Sequence, residues 1–258
     1  MSIVQHDAPA ESGSARAPHA ARPPAPIYVV CSPRRRVGKT LLARLLTEYH
    51  TTAGRPVAAF DLADEGPQLA DYLPNRTTIT DISDVRGQMA FFDHLIADNE
   101  TPKVIDVSHR TFRNFFTVAH NIRFFEEAHR RSIEPVILFL FDPDPKSAQA
   151  YAMLQRWFAA ASLVPVRNQL VARGMPYRDV FPNASIITVL VEMPVLHPSL
   201  RGMADQESFS FAEFRQAPRA YLPARLHDEF QGWIKGIFLQ FREIELCLMC
   251  EQILSSLQ

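Results

Sequence analysis

Six short apolar runs, separated for the most part by stretches patterned as helices, restrict this chain to few folds. The runs are Ile27–Cys31, Pro56–Leu62, Lys103–Val107, Pro135–Phe141, Leu163–Arg167 and Ser185–Val191. Most are continuously apolar rather than alternating, as strands covered on both faces require. Between them the spacing predicts helices over Thr40–Ala53 (closed by Gly54), Val85–Ala97, Thr111–Arg131 and Lys146–Ala161. Strand and helix alternating through short joints predict an α/β fold with a doubly wound, mostly parallel sheet flanked by helices, a three-layer α/β/α arrangement. Ligands of such sheets bind beyond the carboxyl ends of the strands. Cys31, Asp61, Asp106 and Asn168 all fall at those ends.

The flanks of this pattern are simpler. Residues 1–26 are rich in Ala, Pro and Ser, offer little apolar surface to repay ordering, and read as a disordered tail. Its basic residues Arg16 and Arg22 are too few to mark a nucleic-acid or lipid contact. After Val191 the pattern weakens into a loop containing Pro194, Pro198 and Gly202. From Pro223 to about residue 256, Leu226, Phe230, Trp233, Ile237, Phe241, Ile244, Leu248 and Ile253 recur at helical spacing. That reads as one long amphipathic helix packed on the sheet or on a second subunit. Residues 27–258 therefore form a single domain. A net charge of −1 argues against a whole-surface grip on nucleic acid or anionic membrane, leaving only a local patch as a route to either. No apolar run reaches membrane-spanning length and no secretion signal is evident. With three cysteines there is no disulfide framework, which points to the cytoplasm.

The first joint carries the chemistry. Apolar Ile27–Cys31 runs into Ser32-Pro33-Arg34-Arg35-Arg36-Val37-Gly38-Lys39-Thr40, and the apolar helix from Leu41 follows at once. This is the order a phosphate-binding loop needs: backbone N–H groups and a helix N-terminus aimed at an anion, a lysine for the β/γ-phosphates, and a hydroxyl for Mg²⁺. The filling is unusual. Pro33, Arg35 and Arg36 stand where cheap access to φ > 0 is wanted, at a cost of about 1–3 kcal/mol if the loop keeps that shape.

The loop resembles the deviant Walker A motif of the ParA/MinD superfamily of P-loop ATPases. The resemblance continues through Arg55–Asp61, Val104-Ile105-Asp106-Val107, Pro135–Asp142, Val164–Asn168 and Met193–Leu196, covering roughly residues 27–205. It implies ATP and Mg²⁺ as cofactors, with the backbone of Arg35, Arg36, Val37, Gly38, Lys39, Thr40 and Leu41 around the phosphates. It implies Lys39 on the β/γ-phosphates and Thr40 on the metal. Asp61 is expected to position or activate the attacking water and, with Asp106, to belong to the magnesium shell. Arg34 stands at the signature lysine that reaches the partner's ATP across a nucleotide-sandwich dimer, a task suited to a guanidinium fork. Asn168 is expected at the adenine edge. The activity implied is a Mg²⁺-dependent ATPase acting as an ATP-dependent homodimer switch on a protein partner or cargo.

The chain also departs from the family. Arg35 and Arg36 replace two glycines, and Ser108-His109-Arg110 replaces Pro-Pro-Gly after Asp106. Binding is thus better supported than rapid hydrolysis, and a non-hydrolysing scaffold that binds an anion is the alternative. Two further readings are a ligase resembling dethiobiotin synthetase and, from Cys247-Leu-Met-Cys250, an iron–sulfur carrier. His109, His120 and His129 lie among arginines and read as a solvated basic face.

Overall fold

The computed structural model describes residues 25–62, 68–172, 190–207, 209–217 and 222–256. Residues 1–24 of the expected tail lie outside them. Ala25 is already buried, and the first strand, β1, spans Pro26–Cys31. It is followed by α1 (Lys39–Thr52), β2 (Ala58–Asp61), α2 (Leu69–Tyr72), β3 (Thr77–Ile79), α3 (Val85–Ala97) and β4 (Lys103–Asp106). Then come α4 (Phe112–Asn121), α5 (Phe124–Arg130), β5 (Glu134–Leu140), α6 (Pro145–Trp157) and β6 (Ser162–Asn168). Among the described residues four elements remain: β7 (Val191–Met193), then helices Pro198–Ala204, Phe211–Gln216 and Ala224–Ser256, numbered α7, α8 and α9.

The strands make one seven-stranded sheet in the order β3-β2-β4-β1-β5-β6-β7, with every pairing parallel. From β1 the chain turns toward β2 on one side, and β4 later crosses to β5 on the other. β1 and β4 therefore flank the switch point where such sheets hold ligands. Successive residues of β1 feed opposite layers. Tyr28 and Val30 pack with α1, α7, α8 and α9, whereas Ile27, Val29 and Cys31 pack with α3 to α6. The second layer is filled by phenylalanines; Phe92 and Phe124 have ring centroids 4.8 Å apart, as do Phe125 and Phe158. The fold is the three-layer α/β/α arrangement the sequence predicts.

Several boundaries follow local chemistry. α1 ends one residue early and Gly54 closes it at φ 68. α3 keeps its expected limits, with Asp84 capping Gly87 N at 2.7 Å. α6 starts at Pro145 behind its cap Asp144 and stops at Trp157, short of the expected Ala161. The helix expected over Thr111–Arg131 is two helices instead, broken at Arg123 with φ 52. Continuing the period of Phe112, Phe115, Phe116 and Ala119 would turn Arg123 and Glu126 to the core; the break brings in Phe124, Phe125 and Ala128, all buried.

Most of the run Ser185–Val191 lies outside the described residues, and the strand observed there begins at Val191. The stretch after it, read as loop, contains α7, which starts on Pro198 with His197 as its cap. β3, α2 and α8 have three, four and six residues, too few to show a period. α9 has 33 residues and buries Phe230, Ile234, Ile237, Phe241, Ile244 and Leu248; the side chain of Ile253 lies outside the described residues. Among the described residues no helix is long and apolar enough to cross a membrane.

Candidate functional site

The loop between β1 and α1 sits at the switch point and folds around its own lysine. Lys39 is 8% exposed, and its ammonium donates to the Arg34 carbonyl at 2.7 Å. Burial lowers the Lys39 pKa, opposed by the nearby Asp106 carboxylate. Two positions carry left-handed backbone, Arg36 at φ 60 and Gly38 at φ 101. At Gly38 a glycine is needed twice over: a Cβ there would also lie 2.8 Å from Asn168 Nδ2. At Arg36 the arginine accepts a conformation costing about 1–2 kcal/mol. Arg35 and Arg36 are exposed, Val37 is buried, and Leu41 is partly covered.

The acidic strand ends meet across the sheet register. Asp61 of β2 pairs with Asp106 of β4, so both carboxylates leave their strands at one level. Thr40, in the first turn of α1, donates from Oγ1 to Asp106 Oδ2 at 2.6 Å. Burial pushes Asp106 up to about 6 and the Asp61 charge adds to this; the Thr40 bond and Lys39 pull the other way. Asp106 Oδ1 is buried with no hydrogen-bond partner among the described residues. Asp61 is fully buried, and its Oδ2 accepts from Ala70 N at 3.0 Å, capping the first turn of α2.

Arg34 and Asn168 have partners within the chain. Arg34 Nε lies 3.0 Å from Asp142 Oδ2, and its NH1 lies 3.0 Å from Asp144 Oδ2, both on the β5–α6 joint. Asn168, at the end of β6, donates from Nδ2 to the Val37 carbonyl at 3.0 Å and accepts from Leu170 N through Oδ1. The side-chain amide of Asn168 thus braces the loop. Asp142 and Asp144 escaped the sequence reading. The signal was present, because they follow the apolar run of β5, which lies beside β1.

The arrangement suits a polyphosphate with a hard divalent cation. A 14-residue helix starts at the loop, its lysine is inside, and one threonine hydroxyl touches a buried carboxylate. No group of three or more His, Cys, Asp or Glu able to hold a metal occurs among the described residues. Mg²⁺ does not need one. It is commonly held by one or two carboxylates, waters and substrate phosphates, and the unpartnered Asp106 Oδ1 beside Thr40 fits that pattern.

The other candidate clusters do not converge. Cys247 is half-buried and Cys250 exposed on one helix, and the buried Cys31 thiol is pushed up by burial. His120 stacks on Trp157 with centroids 4.6 Å apart, and His129 lies 3.6 Å from Glu134. Neither a protein-family model nor a curated protein sequence matches this chain, so the functional reading rests on the loop, its lysine and the two strand-end carboxylates.

Proposed function

We propose that the protein binds ATP with Mg²⁺ at the β1–α1 loop and works as a cytoplasmic, ATP-dependent dimerisation switch of the ParA/MinD type. The observation that carries this reading is the contact of Thr40 with Asp106, placed one residue after a lysine folded inside the loop. In this reading Lys39 exchanges the Arg34 carbonyl for the β/γ-phosphates, and backbone N–H groups from Arg35 to Leu41 surround them. Thr40 and Asp106 hold the metal shell. Mg²⁺, when bound, neutralises charge on the β- and γ-oxygens. Asp61, at the end of β2 and level with Asp106, orients the attacking water. The dimer's partner or cargo is a protein, by the same resemblance.

Asp61 already caps α2 and Arg34 is already paired with Asp142 and Asp144. These commitments favour slow turnover, and in the limit a nucleotide-binding scaffold. A thermal-shift titration with ATP and a non-hydrolysable analogue, each with and without Mg²⁺, tests the site. Ligand at ~100 times its Kd should add ~2.7 kcal/mol of stability. A magnesium-dependent rise that Lys39→Ala abolishes is the expected result. An equal rise in Lys39→Ala removes the site assignment.

A further inference from the structure

Only one side of α9 is buried. Phe230, Ile234, Ile237, Phe241, Ile244 and Leu248, separated by alternating steps of four and three, face the sheet layer. A second row, two residues further on, repeats those steps: Gly232, Gly236, Leu239, Glu243, Leu246 and Cys250. All six are exposed. Leu239 is 54% accessible and Leu246 51%. Two residues turn a helix by roughly 200°, so this row runs along the opposite face. Steps of three and four are the spacing with which one helix meets another.

The glycines give the second observation. Inside a helix each costs about 0.8–1 kcal/mol relative to alanine. A Cβ at either Gly232 or Gly236 would meet nothing within 4 Å among the described residues, so packing among these gives no reason for them. Close approach of another helix backbone does.

We propose that this face binds the same face of a second copy of the chain, antiparallel and without nucleotide. A partner helix crossing near Leu239 lays its Leu246 over the gap at Gly232 and Gly236. The same crossing brings Lys235 to Glu243 of the partner subunit, and two-fold symmetry repeats the pair. A parallel crossing would set glutamate on glutamate and glycine gap on glycine gap. The antiparallel pair is therefore the self-complementary one. Contact over about four turns is small for an interface, so micromolar association is expected.

Sedimentation analysis of the full chain from about 5 to 200 µM, in reducing buffer and free of nucleotide, reads the association across the expected micromolar range. Lys235→Glu should weaken it by at least tenfold, because like charges then face each other. Lys235→Glu combined with Glu243→Lys should restore it to within about threefold. Both sites are exposed, so neither change threatens folding. A monomer throughout, or a dimer indifferent to Lys235→Glu, overturns the proposal. So does a dimer that forms only with Mg-ATP and is lost in Lys39→Ala, since that belongs to the nucleotide face.

Discussion

The Asp106 carboxyl concentrates the residue-scale chemistry, because it is buried beside another acid. Its folded pKa of about 6 lies above the ordinary carboxylate value of 3.8. The folded chain therefore holds this proton more tightly than the unfolded chain does. The stabilisation is complete below about pH 4 and is lost as pH rises through about 6. At ~1.4 kcal/mol per pH unit the span is about 3 kcal/mol. Urea unfolding of wild type and Asp106→Asn across pH 4–7 should show the variant gaining on wild type by roughly that amount as pH rises. A constant difference between the two would assign the shift elsewhere. This residue was legible in the sequence as an acid ending an apolar run. Its coupling to Asp61 was not, since register between non-consecutive strands has no local signal.

Among elements, the α4–α5 break shows why period alone misplaced a boundary. Apolar residues at Phe112, Phe115, Phe116, Phe124 and Phe125 look continuous along the chain, yet no single straight helix buries all of them. The chain resolves the conflict at Arg123, in the left-handed region without a glycine. Arg123→Gly should be neutral or stabilising by up to about 1 kcal/mol, whereas Arg123→Val should cost about 1–2 kcal/mol. Thermal unfolding of the two variants checks the sign, and destabilisation by glycine would place the constraint in the arginine side chain instead. The long strands and helices were legible because their periods run over many residues. β3 and α2 were not, because they exist only by pairing with β2 and by accepting the Asp61 cap.

Across the whole molecule, α1 is the piece to which distant segments are keyed. Arg44 is 2% exposed; it donates to the carbonyls of Ala204 at 2.7 Å and Phe209 at 2.9 Å, and lies over the Tyr72 ring. One turn on, Glu48 accepts from Ser210 Oγ and Ala212 N. Tyr49 and Arg55 both reach Glu245 of α9. Sequence reading placed α1 as an apolar helix and gave no hint of these polar ties, whose partners lie 160 to 196 residues away. Arg44→Ala strands the buried Ala204 carbonyl and the partly buried Phe209 carbonyl, and should cost about 3–5 kcal/mol in urea unfolding. A loss under about 1 kcal/mol would show that water replaces the guanidinium there.

Because every strand runs the same way, the sheet has two unlike rims. The loop, Asp61, Asp106, Asn168 and the Asp142–Asp144 joint all emerge at one. The chain enters β1 at the other, where the Ala25 carbonyl accepts from Glu134 N at 3.3 Å. Six residues of strand separate the rims, about 20 Å. The entry to β1 at Ala25 therefore stands on the far rim from the loop, which makes that rim the natural side from which to tether the protein for single-molecule work.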